Sequence, residues 1–247
     1  MSAAGRPNPI STTNAPSVTR GRTCPVGKCD GSGFLYDEGT NTSTDCQCRP
    51  QIVVAGQARS LSATIPARYK DAAFDRFPVT EMDPQVVSVV RRYTENIDSM
   101  LDAGEGLWLI GPVGTGKTTL AMIATMAALK AGRSAARYSM PSLLTLIKST
   151  FDSGGHAELL ERLCAVDLLH IDDIGAEKQT PWVLEELYSI VNSRYEEQRS
   201  MIITTNIGDR SELHEQITER TVSRLTQMCQ ELPLHGPDHR LDAFGDV

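Results

Sequence analysis

Gly111-Pro-Val-Gly-Thr-Gly-Lys-Thr118 has the spacing G-x-x-x-x-G-K-[ST]. Glycines at these intervals let successive backbone N–H groups curl around a polyphosphate with no Cβ in the way. The lysine then reaches the β- and γ-phosphates, and the hydroxyl of Thr118 holds Mg2+. The flanks fit the motif. Gly106-Leu-Trp-Leu-Ile110 reads as a short buried strand, and Thr119 to Ala131 carries Leu120, Ile123, Ala124, Ala127 and Ala128 at helical spacing, so a helix N-terminus points at the phosphates. Gly111, Pro112, Val113, Gly114, Thr115, Gly116, Lys117, Thr118 and Thr119 are therefore candidate ATP-binding residues. A glycine-rich turn that binds nothing leaves Lys117 and Thr118 without a structural task.

Outward from this loop, the 247 residues suit one sizeable α/β domain with a small appendage. The chain is 40% hydrophobic and 22% charged, and no apolar run approaches the ~18 residues of a membrane span. No apolar signal core follows the N-terminal charges, so the expected location is cytoplasmic. A formal net charge of -7 argues against a surface coated in basic residues for duplex DNA, while leaving room for a narrow basic strip that works in an assembly.

Residues 1–22 are rich in Ser, Thr, Asn, Pro and Gly and lack both acidic residues and periodicity, the composition of a disordered, mildly basic tail. Four of the six cysteines follow closely, in Cys24-Pro-Val-Gly-Lys-Cys29 and Asp45-Cys-Gln-Cys-Arg49, on either side of a Phe34–Tyr36 strand and a polar Asp37–Thr44 turn. A hairpin there brings the thiolates of Cys24, Cys29, Cys46 and Cys48 around one tetrahedral Zn2+. So small a unit has almost no apolar core, and the metal would supply its folding energy. The spacings are C-x4-C and C-x-C rather than paired C-x2-C, and four unligated thiols in a loose tail are the competing reading. Cys164 and Cys229 are isolated, ordinary thiols.

Gln51–Leu61 reads as a helical or connecting segment, and Thr64-Ile-Pro-Ala-Arg-Tyr69 and Ala73-Phe-Asp-Arg-Phe77 bring prolines and aromatics together just ahead of the core. One helix is expected from Pro84 to Ala103, with Val86, Val89, Val90, Tyr93, Ile97, Met100 and Leu101 as its core stripe. Beyond the loop, the pattern predicts a strand at 134–139, helices at 141–151 and 157–164, and then Val166-Asp-Leu-Leu-His-Ile-Asp-Asp-Ile-Gly175. An apolar strand ending in two acids is the Walker B arrangement: Asp172 would hold the Mg2+ shell, and Asp173 would orient or deprotonate the attacking water. His170 reads as a packed strand residue rather than a ligand. A helix at 182–197, a strand at 200–206, a helix at 211–227 and a strand at 228–234 complete the pattern, with a polar tail after it. Asn206, at a strand tip, could hold the lytic water, although an Asn there is often only a turn residue.

Gly111 to Thr118, Leu169-His-Ile-Asp-Asp-Ile-Gly175, Ile203-Thr-Thr-Asn206 and Thr221-Val-Ser-Arg-Leu225, in that order, resemble the DnaC/IstB branch of the AAA+ ATPases. Within it, the cysteine hairpin followed by Ile65-Pro-Ala-Arg-Tyr69 and Phe74 is similar to replicative helicase loaders of the DnaI and phage type. The resemblance spans roughly residues 24–240. It implies an AAA+ P-loop NTPase fold, a parallel sheet flanked by helices, with a small zinc-ribbon-like module in front. The implied domains are a tail at 1–22, the zinc module at 23–50, a linker and first part of the ATPase domain at 51–83, the core at 84–240 and a tail at 241–247. It also implies that Arg224 is an arginine finger offered to a neighbouring subunit's ATP, with Arg220 one turn earlier as the competitor, and Arg240 corresponds loosely to a late arginine near nucleotide. The family's second acid is often Glu. Asp173 has a shorter reach, which implies slow, switch-like hydrolysis.

Three function classes stay open. The resemblance implies a replicative helicase loader, with a helicase, single-stranded DNA and further copies of itself as partners. A second class is a transposition helper ATPase of the IstB kind that binds target DNA and recruits a transposase; the cysteine hairpin favours the first, because such helpers usually carry a helical N-terminal domain. The third is a zinc adaptor whose nucleotide site only binds, and intact Lys117, Thr118, Asp172 and Asn206 argue against it.

Overall fold

The computed structural model describes residues 24, 26–37, 39–50, 52, 64–151, 154–175 and 180–242. The expected tail at 1–22, residues 243–247 of the tail expected at 241–247, and nearly all of the 51–61 segment lie outside the described residues. The chain divides into two compact units, Met1–Ile52 and Val53–Val247.

In the first unit, β1 (Phe34–Asp37) pairs antiparallel with β2 (Thr42–Asp45), Phe34 facing Asp45. The turn is shorter than expected because the Asp37 carboxylate accepts the N–H of Gly39 at 2.8 Å and Asn41 takes a left-handed φ of 52°, closing the reversal three residues early. Among the described residues of this unit, the buried ones are Gly31, Gly33, Cys46 and Cys48.

The second unit is a five-stranded parallel sheet in the order β4-β5-β6-β3-β7, where β3 is Gly106–Ile110, β4 Ala135–Ser139, β5 Leu168–Asp172, β6 Ser200–Thr205 and β7 Cys229–Pro233. Its three inner strands β5, β6 and β3 are buried on both faces, as a sheet covered on both sides requires. Leu107 and Leu109 face one core with Val90, Tyr93, Leu101, Leu120 and Ala124, drawn from α1 (Pro84–Glu95), α2 (Ile97–Asp102) and α3 (Lys117–Lys130). Trp108, between them in sequence, faces the other core with Leu143, Leu163, Leu187 and Leu225. Those residues come from α4 (Met140–Ser149), α5 (His156–Ala165), α6 (Pro181–Glu196) and α8 (Glu219–Met228). Each such side chain contributes about 1.5–3 kcal/mol. Val79 and Met82 also lie in the first core, so the stretch from 79 onward is built into this unit.

Two helices expected to be continuous are broken. The 84–103 helix stops at Asn96, whose side chain donates to Arg92 O at 2.9 Å and closes the last turn of α1 before α2 restarts. The 211–227 helix is split into α7 (Arg210–Ile217) and α8 by Thr218, at φ 71°, whose hydroxyl accepts the N–H of Thr221 and so caps α8. Between them, fully buried Arg194 of α6 donates to the carbonyls of Leu163, Val166 and Ser200 at 2.8, 3.0 and 2.6 Å, tying the end of α5 to the start of β6. No helix among the described residues is long and apolar enough to cross a membrane.

Candidate functional site

β3 lies between β6 and β7, while β4, the next strand in sequence, lies at the far edge. The strand order therefore switches at β3, and a parallel sheet opens a crevice beyond the strand ends at such a point. A cavity of about 540 Å³ occupies that crevice. Val113, Gly114, Gly116, Lys117, Thr118 and Thr119 line it from the loop, and Asp172, Asp173, Thr204 and Asn206 from the tips of β5 and β6. Gly111, Pro112 and Thr115 instead shape the loop from within: Lys117 Nζ donates to the carbonyls of Gly111 and Pro112 at 2.6 and 2.7 Å, and the Thr115 hydroxyl to Pro112 O at 2.9 Å.

The loop needs its glycines for two reasons. Gly114 and Gly116 sit at φ 84° and 90°, where other residues are strained. A Cβ on Gly114 would strike Asp238, and one on Gly116 would strike the tip of Met82. Gly116 caps α3 with no side-chain hydrogen bond, so the first N–H groups of that helix are left for an anion. Burial holds the Lys117 ammonium below the usual lysine pKa, with Arg240 adding to the effect while Asp173 and Asp172 oppose it. Triphosphate oxygens suit both the lysine and the uncapped amides.

Asp172 is held through both of its carboxylate oxygens. Its Oδ1 accepts the hydroxyls of Thr118 at 3.0 Å and Thr204 at 2.7 Å, and its Oδ2 accepts Arg137 Nη2 at 2.6 Å. Burial opposes ionisation, but the Thr204 hydroxyl and the Arg137 charge outweigh it and keep the carboxyl well below the usual range. Oxygens of Thr118 and Asp172 at hydrogen-bond distance are a donor set of the kind Mg2+ takes with nucleotide. His170 is fully buried, and its Nδ1 lies 3.1 Å from Thr125 Oγ1. Because that hydroxyl already donates to Ala121 O, Nδ1 must carry the proton, and His170 is a packed strand residue.

Asp173 turns out of the strand at φ 65°, its N–H on Thr204 Oγ1 at 2.8 Å. Asn206 Nδ2 donates to Asp173 Oδ1 at 2.6 Å, so the second acid and the amide meet at the cavity wall. Arg224 lies elsewhere. Its Nε donates to Asn192 Oδ1 at 2.6 Å, its guanidinium lies over Tyr188 and Tyr195, and it does not line its own chain's cavity. Arg220 is exposed.

The opposite wall holds residues to which the sequence reading assigned no role: Arg68, Tyr69, Arg76, Phe77 and Pro78 from the segment before α1, and His239 after β7. Phe77 and His239 meet edge to face, ring centroids 5.8 Å apart. Prolines and aromatics crowded ahead of the core were the available signal. The stretch after β7 is no loose tail. Leu234 N donates to Ile110 O at 2.7 Å and His239 N to Gly114 O at 3.1 Å, which brings Arg240 into the cavity wall.

In the other unit, the Sγ atoms of Cys24, Cys29, Cys46 and Cys48 lie within 4.8 Å of one another. Backbone N–H donation, led by Cys29, pulls the Cys24 thiol down to about 6, while burial and the neighbouring thiols push Cys48 up. Four thiols converging where the described residues form no apolar core are a donor set of the kind that a tetrahedral Zn2+ takes.

The family of IstB-like ATP-binding proteins matches residues 62–243. An IS21-like insertion-sequence ATP-binding protein of Bacteroides fragilis is 30% identical over 183 residues, 72% of this chain and 66% of that protein. The replicative helicase loader DnaI of Bacillus subtilis is 27% identical over 173 residues, 64% of this chain and 55% of DnaI. The crystal structure of the DnaC helicase loader superposes with a TM-score of 0.60 at 26% identity, covering 69% of this chain and 100% of that one. The chain spans from about half to two thirds of the length of the curated relatives it matches. With this AAA+ fold and this loop, and with the match running through both, the chain belongs to the family of IstB-like ATP-binding proteins.

Proposed function

We propose that this chain is a slow, Mg2+-dependent ATPase that loads a replicative helicase, with the cysteine unit as the part that grips the helicase and the sheet unit as the part that assembles on single-stranded DNA. The observation that carries the loader reading is the convergence of four thiols ahead of the ATPase fold, which the second reading does not call for. That second reading, a transposition helper that recruits a transposase, draws on the 30% identity to the IS21-like relative.

In either case the division of labour is the same. Lys117 and the α3 amides hold the phosphates. Thr118 and Asp172 would hold Mg2+, which would supply positive charge against the phosphates. Asp173 and Asn206, already hydrogen-bonded to each other, orient the water, with Asp173 taking its proton. Arg224, away from its own cavity, serves a neighbour's, and Arg240 reads nucleotide in its own chain. Cys24, Cys29, Cys46 and Cys48 would hold Zn2+.

The deciding experiment is capture of partners from the native cell extract with the full chain as bait, in the presence of ATP. A replicative helicase recovered with wild type and lost with Cys46→Ser/Cys48→Ser supports the loader. Recovery of a transposase in its place transfers the protein to the second reading.

A further inference from the structure

Arg137 is a charged side chain on the edge strand β4 to which none of the roles above applies. It lies in register opposite His170, and Ser139, two residues on, lies opposite Asp172. Across that diagonal its Nη2 meets Asp172 Oδ2 at 2.6 Å, with the two side chains only 19% and 10% exposed. The rest of the guanidinium has little to hold. Nε is buried without a hydrogen-bond partner, and Asp172 is the one hydrogen-bond acceptor that Arg137 has among the described residues. Arg194, whose Nε is likewise unpartnered, looks different at its other two nitrogens, which distribute their donors over five carbonyls. Arg137 instead commits to one oxygen of one acid. That acid is consequently two-sided, with hydroxyls on Oδ1 and a cation on Oδ2.

We propose that Arg137 is a counter-ion that competes with the divalent cation for Asp172, so that loading of the nucleotide site releases the guanidinium and is felt at the edge strand β4. The proposal rests on the reading of Asp172 as the acid of the metal's shell. A carboxylate with a full positive charge at contact distance is a weaker ligand for a second cation, and the repulsion is strong where water is scarce. Arg137 therefore holds Asp172 ionised and in place, yet guarded, until a nucleotide-borne cation outcompetes it. Once released, the guanidinium has lost its one acceptor while Nε still lacks any, and a half-dry group in that state cannot stay where it is. The side chain, or β4 with it, must move. The alternative is that Arg137 remains bonded and merely aims Asp172, in which case its removal weakens cation binding instead of strengthening it.

The opposite signs make the test. Mn2+ is titrated into the full-length, zinc-loaded protein with a non-hydrolysable ATP analogue bound, and free Mn2+ is read by electron paramagnetic resonance. Asp172→Asn gives the background from other sites. Arg137→Met should lower the Mn2+ dissociation constant about tenfold, the order expected when a full charge beside a partly dry ligand is removed. Arg137→Lys keeps the charge and should stay within about threefold of wild type on the same argument. Melting curves confirm that each variant is folded, and Arg137→Gln, which keeps donors without charge, carries the test if Arg137→Met is not. Mn2+ affinity that is unchanged or weaker in the folded neutral variant overturns the proposal alone. Failure of the wild-type protein to bind the analogue overturns the nucleotide reading, and this proposal with it.

Discussion

Among the described residues of the hairpin unit, burial reaches two glycines and two cysteines, whereas in the sheet unit it reaches whole strands on both faces. The two regions hold β-structure together by different physics. Leu107 to Leu109 and Met201 to Ile203 exclude water, and their hydrogen-bond ladder is protected by the helices above and below. Phe34 and Tyr36 stay exposed at 41% and 64%, and a two-strand ribbon of that kind is marginal in water by itself. What it has instead is four thiols at ligand distance. A core made of solvent exclusion fails gradually as groups are trimmed, while a core made of coordination fails at once when its ion leaves.

The largest effect should therefore come from metal. Protein prepared without chelator should carry about one Zn2+ per chain, by the four-ligand argument. Stripping the metal, or Cys46→Ser/Cys48→Ser, should abolish the hairpin's protection from protease while nucleotide binding persists. Elemental analysis that finds no zinc, or a hairpin that resists protease without it, breaks the comparison.

Next in size are the two sides of the loop site. Lys117→Ala should weaken nucleotide binding by roughly 100-fold or more, because the ammonium contacts phosphate in the ground state. Asp173→Ala should leave binding intact and slow hydrolysis by roughly the same factor, because the acid acts on water. A fluorescent nucleotide and a phosphate-release assay separate the two, and normal hydrolysis by Asp173→Ala removes that residue from the site.

Arg194→Met tests solvent exclusion directly. Carbonyls of Leu163, Val166 and Ser200 lose their donor inside the protein, which should cost roughly 3–5 kcal/mol in urea unfolding of the sheet unit. Zinc content should not change. Loss of zinc in this variant would show that the units are not independent.

Thiol chemistry sharpens the contrast. Burial raises Cys164, and it raises Cys229 to about 12, so near pH 8 both are protonated and slow to alkylate. Chelation should expose Cys24, Cys29, Cys46 and Cys48 to rapid labelling, leaving those two for denaturant. Equal rates for all cysteines after chelation would mean that the sheet unit opens too. The smallest signal is partial rescue of ATPase activity on mixing Arg224→Ala with Lys117→Ala subunits, each supplying what the other lacks. A rate per chain that is flat with concentration, with no rescue, leaves Arg224 as the partner of Asn192 alone.

What was legible in the sequence is what short segments enforce by themselves. The loop from Gly111 to Thr118, the acids Asp172 and Asp173 and the paired cysteines all depend on spacings of a few residues, and glycine conformation or strand alternation sets those spacings locally. The breaks at Asn96 and Thr218 were not legible, because the apolar period runs through both, and a side-chain hydrogen bond at one and a left-handed backbone at the other decide where helix stops. The far wall of the cavity was not legible either, since Tyr69 and His239 are brought to one crevice by the strand order. Arg137 shows the limit most clearly. Its meeting with Asp172 depends on β4 and β5 lying side by side in one register after two intervening helices. Periodicity carries no information about which strands become neighbours. That choice is made when the whole sheet closes around its two cores, and only the tertiary structure records it.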